Sequence, residues 1–155
     1  MSIIIRKATL KDLVDIQNLC IETIANTCHK DYNPLQIKAW ILSVQNPNKW
    51  KQAIQNEHFL VAEKNHLIVG FTSLRNGNYI NFMYVHQDYL QQRIASLLYH
   101  NILTVAMKQS THQLSADVSI TARPFFEAKG FRVMKENINL INNVEIINYH
   151  MVLKT

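Results

Sequence analysis

Apolar positions along the chain switch between helical and strand spacing, and the switches divide it into elements. Ser2 to Arg6 is a short apolar run that reads as an opening strand. Leu13, Ile16, Leu19, Cys20 and Ile24 recur at three- and four-residue intervals, which predicts a helix to about Thr27. Thr9-Leu10-Lys11-Asp12 before it is a variant capping box: a hydroxyl at the cap and a carboxylate three residues on can satisfy each other's backbone N–H. Asn33-Pro34 opens a second helix, because Asn is a cap residue and the proline ring presets a helical φ. The apolar positions of that helix are Leu35, Ile37, Trp40 and Ile41; Asn46-Pro47-Asn48 breaks it, and Trp50 to Ile54 is a short helical piece.

From about residue 58 the period shortens. His58 to Glu63 and His66 to Leu74 read as two strands joined at Lys64-Asn65. Asn76-Gly77-Asn78 is a hairpin turn, since Asn and Gly tolerate positive φ, and it feeds a third strand from Tyr79 to His86. Ile94, Leu97, Leu98, Ile102, Val105 and Ala106 place a helix over Gln91 to Lys108. A strand over Gln113 to Val118 follows, then a short helix from Thr121 to Lys129 closed by Gly130. Phe131 to Leu140 and Val144 to Leu153 pair across Asn142-Asn143. The order β-α-α-β-β-β-α-β-α-β-β predicts an α+β chain, a mostly antiparallel sheet with helices on its faces.

Length and composition narrow the class. At 155 residues the expectation is one domain, 1–155. Three Gly, three Pro and 48% hydrophobic residues exclude a collagenous or disordered chain. No run approaches the ~20 apolar residues that span a bilayer, and the start MSIIIRKATLKD has no secretory pattern, so a cytoplasmic protein without a membrane partner is expected. Sixteen Lys and Arg against eleven Asp and Glu leave a net charge of +5, but they are scattered, with no cluster of four and no aromatic interleaving. A nucleic-acid partner is therefore not expected, and a phosphate-bearing cosubstrate uses the same charge more economically. Cys20 and Cys28 lie in one predicted helix without a CxxC pair, and adjacent Cys28 and His29 point in different directions, so no metal site is expected and the cysteines read as reduced core residues.

Candidate chemistry concentrates where a strand meets a helix, Tyr84-Val85-His86-Gln87-Asp88-Tyr89-Leu90-Gln91-Gln92-Arg93-Ile94-Ala95-Ser96. A helix start leaves several N–H groups unpaired and carries partial positive charge, so with a close loop it can cradle phosphate. Gln91 and Gln92 add amide donors, Arg93 a fixed charge and Ser96 a hydroxyl; His86 reads as a surface neighbour. By spacing alone an ordinary amphipathic helix remains the alternative.

Four segments in order resemble the GCN5-related N-acetyltransferase (GNAT) superfamily over essentially the whole chain, and more narrowly a group of small bacterial members. They are Asp31 to Trp40 (DYxPxQIxAW), Tyr84 to Tyr89 (YVHxDY), Ala122 to Phe131 (ARPFFExxGF) and Asn148 to Met151 (NYxM). The resemblance implies a mixed, mostly antiparallel sheet of six to seven strands with helices on both faces, and an acetyl-CoA-dependent N-acetyltransferase acting on a primary amine of a small molecule or peptide. Its pyrophosphate loop falls on Leu90 to Ala95, with Leu90 in place of Gln or Arg and Arg93 in place of a glycine. The implied cosubstrate contacts are Met83, Tyr84 and Val85 with pantetheine, Gln91, Gln92, Arg93, Ile94, Ala95 and Ser96 with diphosphate, and Phe126 by packing.

The family's carboxylate base would stand at Tyr79 or Asn81, and neither titrates as a base near neutral pH, so a water held by Asn81 is the candidate proton carrier. The usual leaving-thiolate acid is a tyrosine where this chain has Phe126, which leaves Ser119 or Tyr149 as donor. Tyr32, Trp40 and Tyr79 are the expected acceptor-pocket residues. Leu90, Arg93 and Phe126 together support a second reading, a degenerate domain that binds acyl-CoA or a partner without turnover. The C-terminal hairpin edge suits pairing with a second copy.

Overall fold

A computed structural model describes residues 2–109 and 111–155. Strands β1 (Ile4–Lys7), β2 (His58–Lys64), β3 (Leu67–Arg75), β4 (Tyr79–Val85), β5 (Gln113–Ser119), β6 (Arg132–Ile141) and β7 (Val144–Lys154) form one sheet in the order β1-β2-β3-β4-β5-β7-β6. Helices α1 (Leu13–Thr27), α2 (Pro34–Ser43) and α3 (Pro47–Asn56) cover one face, and α4 (Ile94–Lys108) and α5 (Arg123–Ala128) the other. The α+β expectation holds, with seven strands. Among the described residues no helix is long and apolar enough to cross a membrane.

Each face has its own core, as a sheet covered on both sides requires. Under α4, buried Val69, Leu98, Ile102, Leu114 and Met151 meet Phe126 and Phe131. Under α1 and α3, Ile16, Ile24, Trp50, Phe59, Phe71 and Phe82 pack together. Trp50 stacks on Phe82 at 4.7 Å, and its indole N–H donates to the Val44 carbonyl at 2.7 Å, so the ring is buried with its one donor satisfied.

Local rules explain most boundaries. The Thr9 amide donates to Asp12 Oδ2 at 2.8 Å, and a short 3-10 turn, Leu10–Asp12, leads from this cap into α1. Asp12 also takes both Arg6 guanidinium nitrogens at 2.9 Å, tying the helix start to β1. Asn33 and Gln36 cap α2 reciprocally, each backbone N–H donating to the other's side-chain oxygen at 2.9 Å. Asn142 and Asn143 both have positive φ in the last hairpin turn.

Most elements differ from expectation by a residue or two at an end, and three boundaries have a local cause. Helix α3 spans Pro47–Asn56 rather than Trp50 to Ile54, because the stretch that ends α2 also starts α3: Asn46 accepts the Asn48 N–H at 3.0 Å. Strand β4 stops at Val85, where His86 accepts the Asp88 N–H and caps a 3-10 turn over Gln87–Tyr89. Helix α4 starts at Ile94 rather than Gln91, since the chain enters it through left-handed Gln91 (φ 62°) and Arg93 (φ 63°).

Among the described residues only β4 and β5 pair in parallel, and their register covers two pairs, Tyr79↔Ser115 and Ile80↔Ala116. Beyond these pairs β4 continues to Val85 on β3 and β5 to Ser119 on β7, without pairing to each other. The sheet therefore forks at its centre.

Candidate active site

The fork opens a cavity of about 290 Å³, at the small end of ligand pockets. Met83 and Tyr84 line it from β4, Ser119 from β5 and Phe126 from α5. Tyr32 and Trp40 from the α1–α2 region also wall it, as do Tyr79 and Asn81 from β4. Fold topology thus brings together nine expected residues from five stretches of chain, counting Tyr32, Trp40, Tyr79, Asn81, Met83, Tyr84, Ser119 and Phe126 in the wall and Val85, buried, at the end of the same strand.

Beyond Ile80 one edge of β4 has β3 as partner through Met83, Tyr84 and Val85, while the edge towards β5 has no strand. The N–H and C=O groups along that edge are those an extended ligand would meet. Past the end of β4, the first intrahelical bond of α4 is Leu97 N–H to the Arg93 carbonyl at 3.0 Å. The amides of Ile94, Ala95 and Ser96 have no acceptor among the described residues. Gln91, Gln92 and Arg93 are exposed beside them, Ala95 and Ser96 are half-buried, and Ile94 is buried as the anchor of this turn. Left-handed φ at Arg93 gives the loop the conformation that glycine adopts without strain, so the backbone keeps the shape even though the side chain differs. The Gln92 carboxamide accepts from Lys64 Nζ at 2.8 Å, which adds a second cation to this rim. Open N–H donors, a positive helix end and two cations suit a diphosphate.

Polar groups in the wall are held by neighbours. Asn81 donates to both Glu57 carboxylate oxygens, at 3.1 and 3.0 Å, and Ser73 Oγ donates to Glu57 at 2.7 Å. Glu57, at the end of α3, was not expected from sequence: an isolated acid has no motif, and its partners lie 16 and 24 residues away. The Tyr79 hydroxyl donates to Asp117 Oδ2 at 2.6 Å, and burial together with this carboxylate pushes the phenol well above its ordinary range. Burial raises the Asp117 carboxyl, but hydrogen bonds from Tyr79, His150 and Asn137 more than offset this and hold it below the usual carboxylate value. Tyr32 is buried; its hydroxyl donates to the Ile147 carbonyl at 2.7 Å and accepts the Ile120 N–H at 2.9 Å, and burial pushes it up to about 12.

The two expected donors fall in different places. Ser119 lines the cavity, with its oxygen accepting the Ala122 N–H at 3.0 Å and its own proton left to donate. Tyr149 does not line it: the Arg123 guanidinium lies 4.6 Å above its ring, on the face covered by α5. His86, off the cavity, pairs with Glu22 at 3.0 Å. Burial pushes the Cys20 and Cys28 thiols up to about 12 and 11, so neither is an activated nucleophile. Among the described residues no group of His, Cys, Asp and Glu is arranged to hold a metal.

Comparison with known proteins agrees with this geometry. A family model described as an acetyltransferase (GNAT) domain matches residues 28–153. The chain is 32% identical over 143 residues, 90% of each chain, to YafP of Escherichia coli (strain K12), an uncharacterized N-acetyltransferase. A GCN5-related N-acetyltransferase structure from Rhodopseudomonas palustris, also called Aminotransferase, Class-II, superposes with a TM-score of 0.95 at 23% identity, covering 100% of this chain and 97% of that one. PaiA N-acetyltransferase from Thermoplasma acidophilum, solved in complex with coenzyme A, superposes with a TM-score of 0.78 at 20% identity and full coverage of both chains. The forked sheet, the open helix start beside it and the match across residues 28–153 converge on one conclusion: this chain belongs to the GNAT acetyltransferase family and is an acyltransferase.

Proposed function

We propose that the chain transfers an acetyl group from acetyl-CoA directly to a primary amine of a small molecule or peptide. The observation that carries this reading is the fork between β4 and β5, which leaves an unpaired strand edge at an aromatic-walled cavity, with an anion-receptive helix start following β4. Bound acetyl-CoA supplies the acetyl group as an activated thioester. Amides of Ile94 to Ser96, with Arg93 and Gln91, hold the diphosphate, and the open edge at Met83, Tyr84 and Val85 holds the pantetheine arm. Phe126 packs against the sulfur end.

The acceptor enters past Tyr32, Trp40 and Tyr79. Asn81, fixed by Glu57, holds a water that carries the amine proton away, and Ser119 donates to the leaving thiolate. Ser119 is favoured over Tyr149 because only Ser119 lines the cavity. Positioning and carbonyl polarisation by β4 supply most of the acceleration, which is why no strong base is needed in the wall. Two buried, unactivated thiols support direct transfer in place of a covalent acyl-enzyme, and suit a cytoplasmic setting. The segments around Asp31, Tyr84, Ala122 and Asn148 support membership of a small bacterial subgroup, with residues 1–155 acting as one domain.

Thiol release from acetyl-CoA over a mixed panel of amines tests the reading, paired with thermal unfolding in the presence of CoA. Saturable, amine-dependent release is expected. Stabilisation by CoA with no release for any amine would overturn turnover in favour of binding alone.

A further inference from the structure

We propose that the acceptor is a small amphoteric amine, one that carries its own carboxylate or phosphate, with Lys49 pairing its anion and Asp117 its ammonium. This rests on the acetyltransferase reading above and deepens it. Among the residues lining the cavity, Lys49 and Asp117 are the two that carry formal charge, and they have opposite signs. They enter from opposite flanks of β4: Lys49 from the first turn of α3, over the β3 side, and Asp117 from β5.

Lys49 makes no ion pair or side-chain hydrogen bond among the described residues. It is exposed, and it lines the same cavity as Asp117. An unpaired cation at the edge of a cavity lined mostly by aromatic, aliphatic and amide groups is complementary to an anionic ligand group.

At the other pole, the Asp117 carboxylate has four acceptor positions. Asn137 and His150 occupy two on Oδ1 and Tyr79 one on Oδ2, which leaves one on Oδ2 for an N–H donor. The fixed carboxylate stays ionised and can draw the acceptor in as its ammonium, whose proton then passes to the water at Asn81 and frees the nitrogen lone pair to attack. A diamine or polyamine would instead bring a second cation next to Lys49, where like charges repel. The volume of about 290 Å³, shared with the acetyl end of the cosubstrate, limits the acceptor to a small molecule.

Calorimetric titration of the full chain, with and without CoA, tests this on matched probes: β-alanine against β-alaninamide, phenylalanine against phenylalaninamide, and phosphoethanolamine against ethanolamine. The anionic member of the carboxylate pairs, the phosphate pair or both should bind about ten-fold more tightly, and the favoured pair tells carboxylate from phosphate. Lys49→Met, at an exposed position, should bring the members within two-fold, and Lys49→Arg should restore the preference. Equal binding within every pair, no binding of any anionic probe, or a preference that survives Lys49→Met would overturn the inference. CoA binding and thiol release are read separately. Release without anion preference removes this inference and leaves the acetyltransferase reading, while anion preference without release for any amine removes that reading and leaves Lys49 and Asp117 as a binding site whose ligand is not an acetyl acceptor.

Discussion

At Arg93 the backbone takes φ 63° and ψ 17°, a conformation that costs an L residue about 1–2 kcal/mol. The family resemblance places a glycine there, and the structure keeps that glycine's conformation while adding a guanidinium in solvent. Arg93→Gly removes the strain but enlarges the unfolded ensemble by about 0.5–1 kcal/mol. Thermal unfolding should therefore show a Tm unchanged or up to about 3 °C higher. CoA affinity, read by calorimetry, should fall several-fold with the lost charge. Tyr32 presents the opposite case, a residue expected at the acceptor wall whose hydroxyl also joins Ile120 and Ile147. Tyr32→Phe keeps the ring in the wall and leaves a half-buried N–H and C=O without their partner, a loss of about 1 kcal/mol that chemical denaturation would register. Both effects lie beyond sequence reading: no residue pattern reports φ, and the bonds of Tyr32 span 88 and 115 residues.

At the scale of elements, caps and turns were legible because their partners are three residues apart, as in Thr9 with Asp12 and Asn33 with Gln36. The start of α4 was misplaced because Gln and Arg are good helix formers, and propensity carries no information on the left-handed turn that sends Gln91, Gln92 and Arg93 outwards. The start of α3 was misplaced because Asn46-Pro47 is at once a stop and a start. Asp12 joins β1 to α1, and hydrogen bonds from Arg6 hold its carboxyl below the usual range against the opposing effect of burial. A folded-state pKa below the unfolded one contributes stability above the ordinary carboxylate value and loses it as pH falls through the folded pKa. Urea unfolding between pH 7 and pH 3 should show that loss, and Asp12→Asn should be less stable at pH 7 with a shallower fall on acidification. A slope unaffected by the substitution would assign the acid sensitivity elsewhere.

For the whole molecule, the order of elements foretold the sheet and its covering helices, since each short connection limits where the next element can lie. The fork itself depends on residues 36 apart aligning at Tyr79↔Ser115 and their strands then separating, which no local pattern encodes. Glu57 and Lys49 reach the site in the same way, from a helix whose own contacts are chiefly with α1 and β2. What unites these parts is an anion-receptive start to α4, set against an open strand edge. Amide chemical shifts of the full chain, followed by nuclear magnetic resonance on addition of CoA and separately of pantetheine, which lacks the diphosphate, bear on that claim most directly. CoA should move the amides of Gln91 to Ser96 most, and pantetheine should move those of Met83 to Val85 while leaving the helix start in place. Saturation by CoA with the Gln91 to Ser96 amides unmoved would contradict the account.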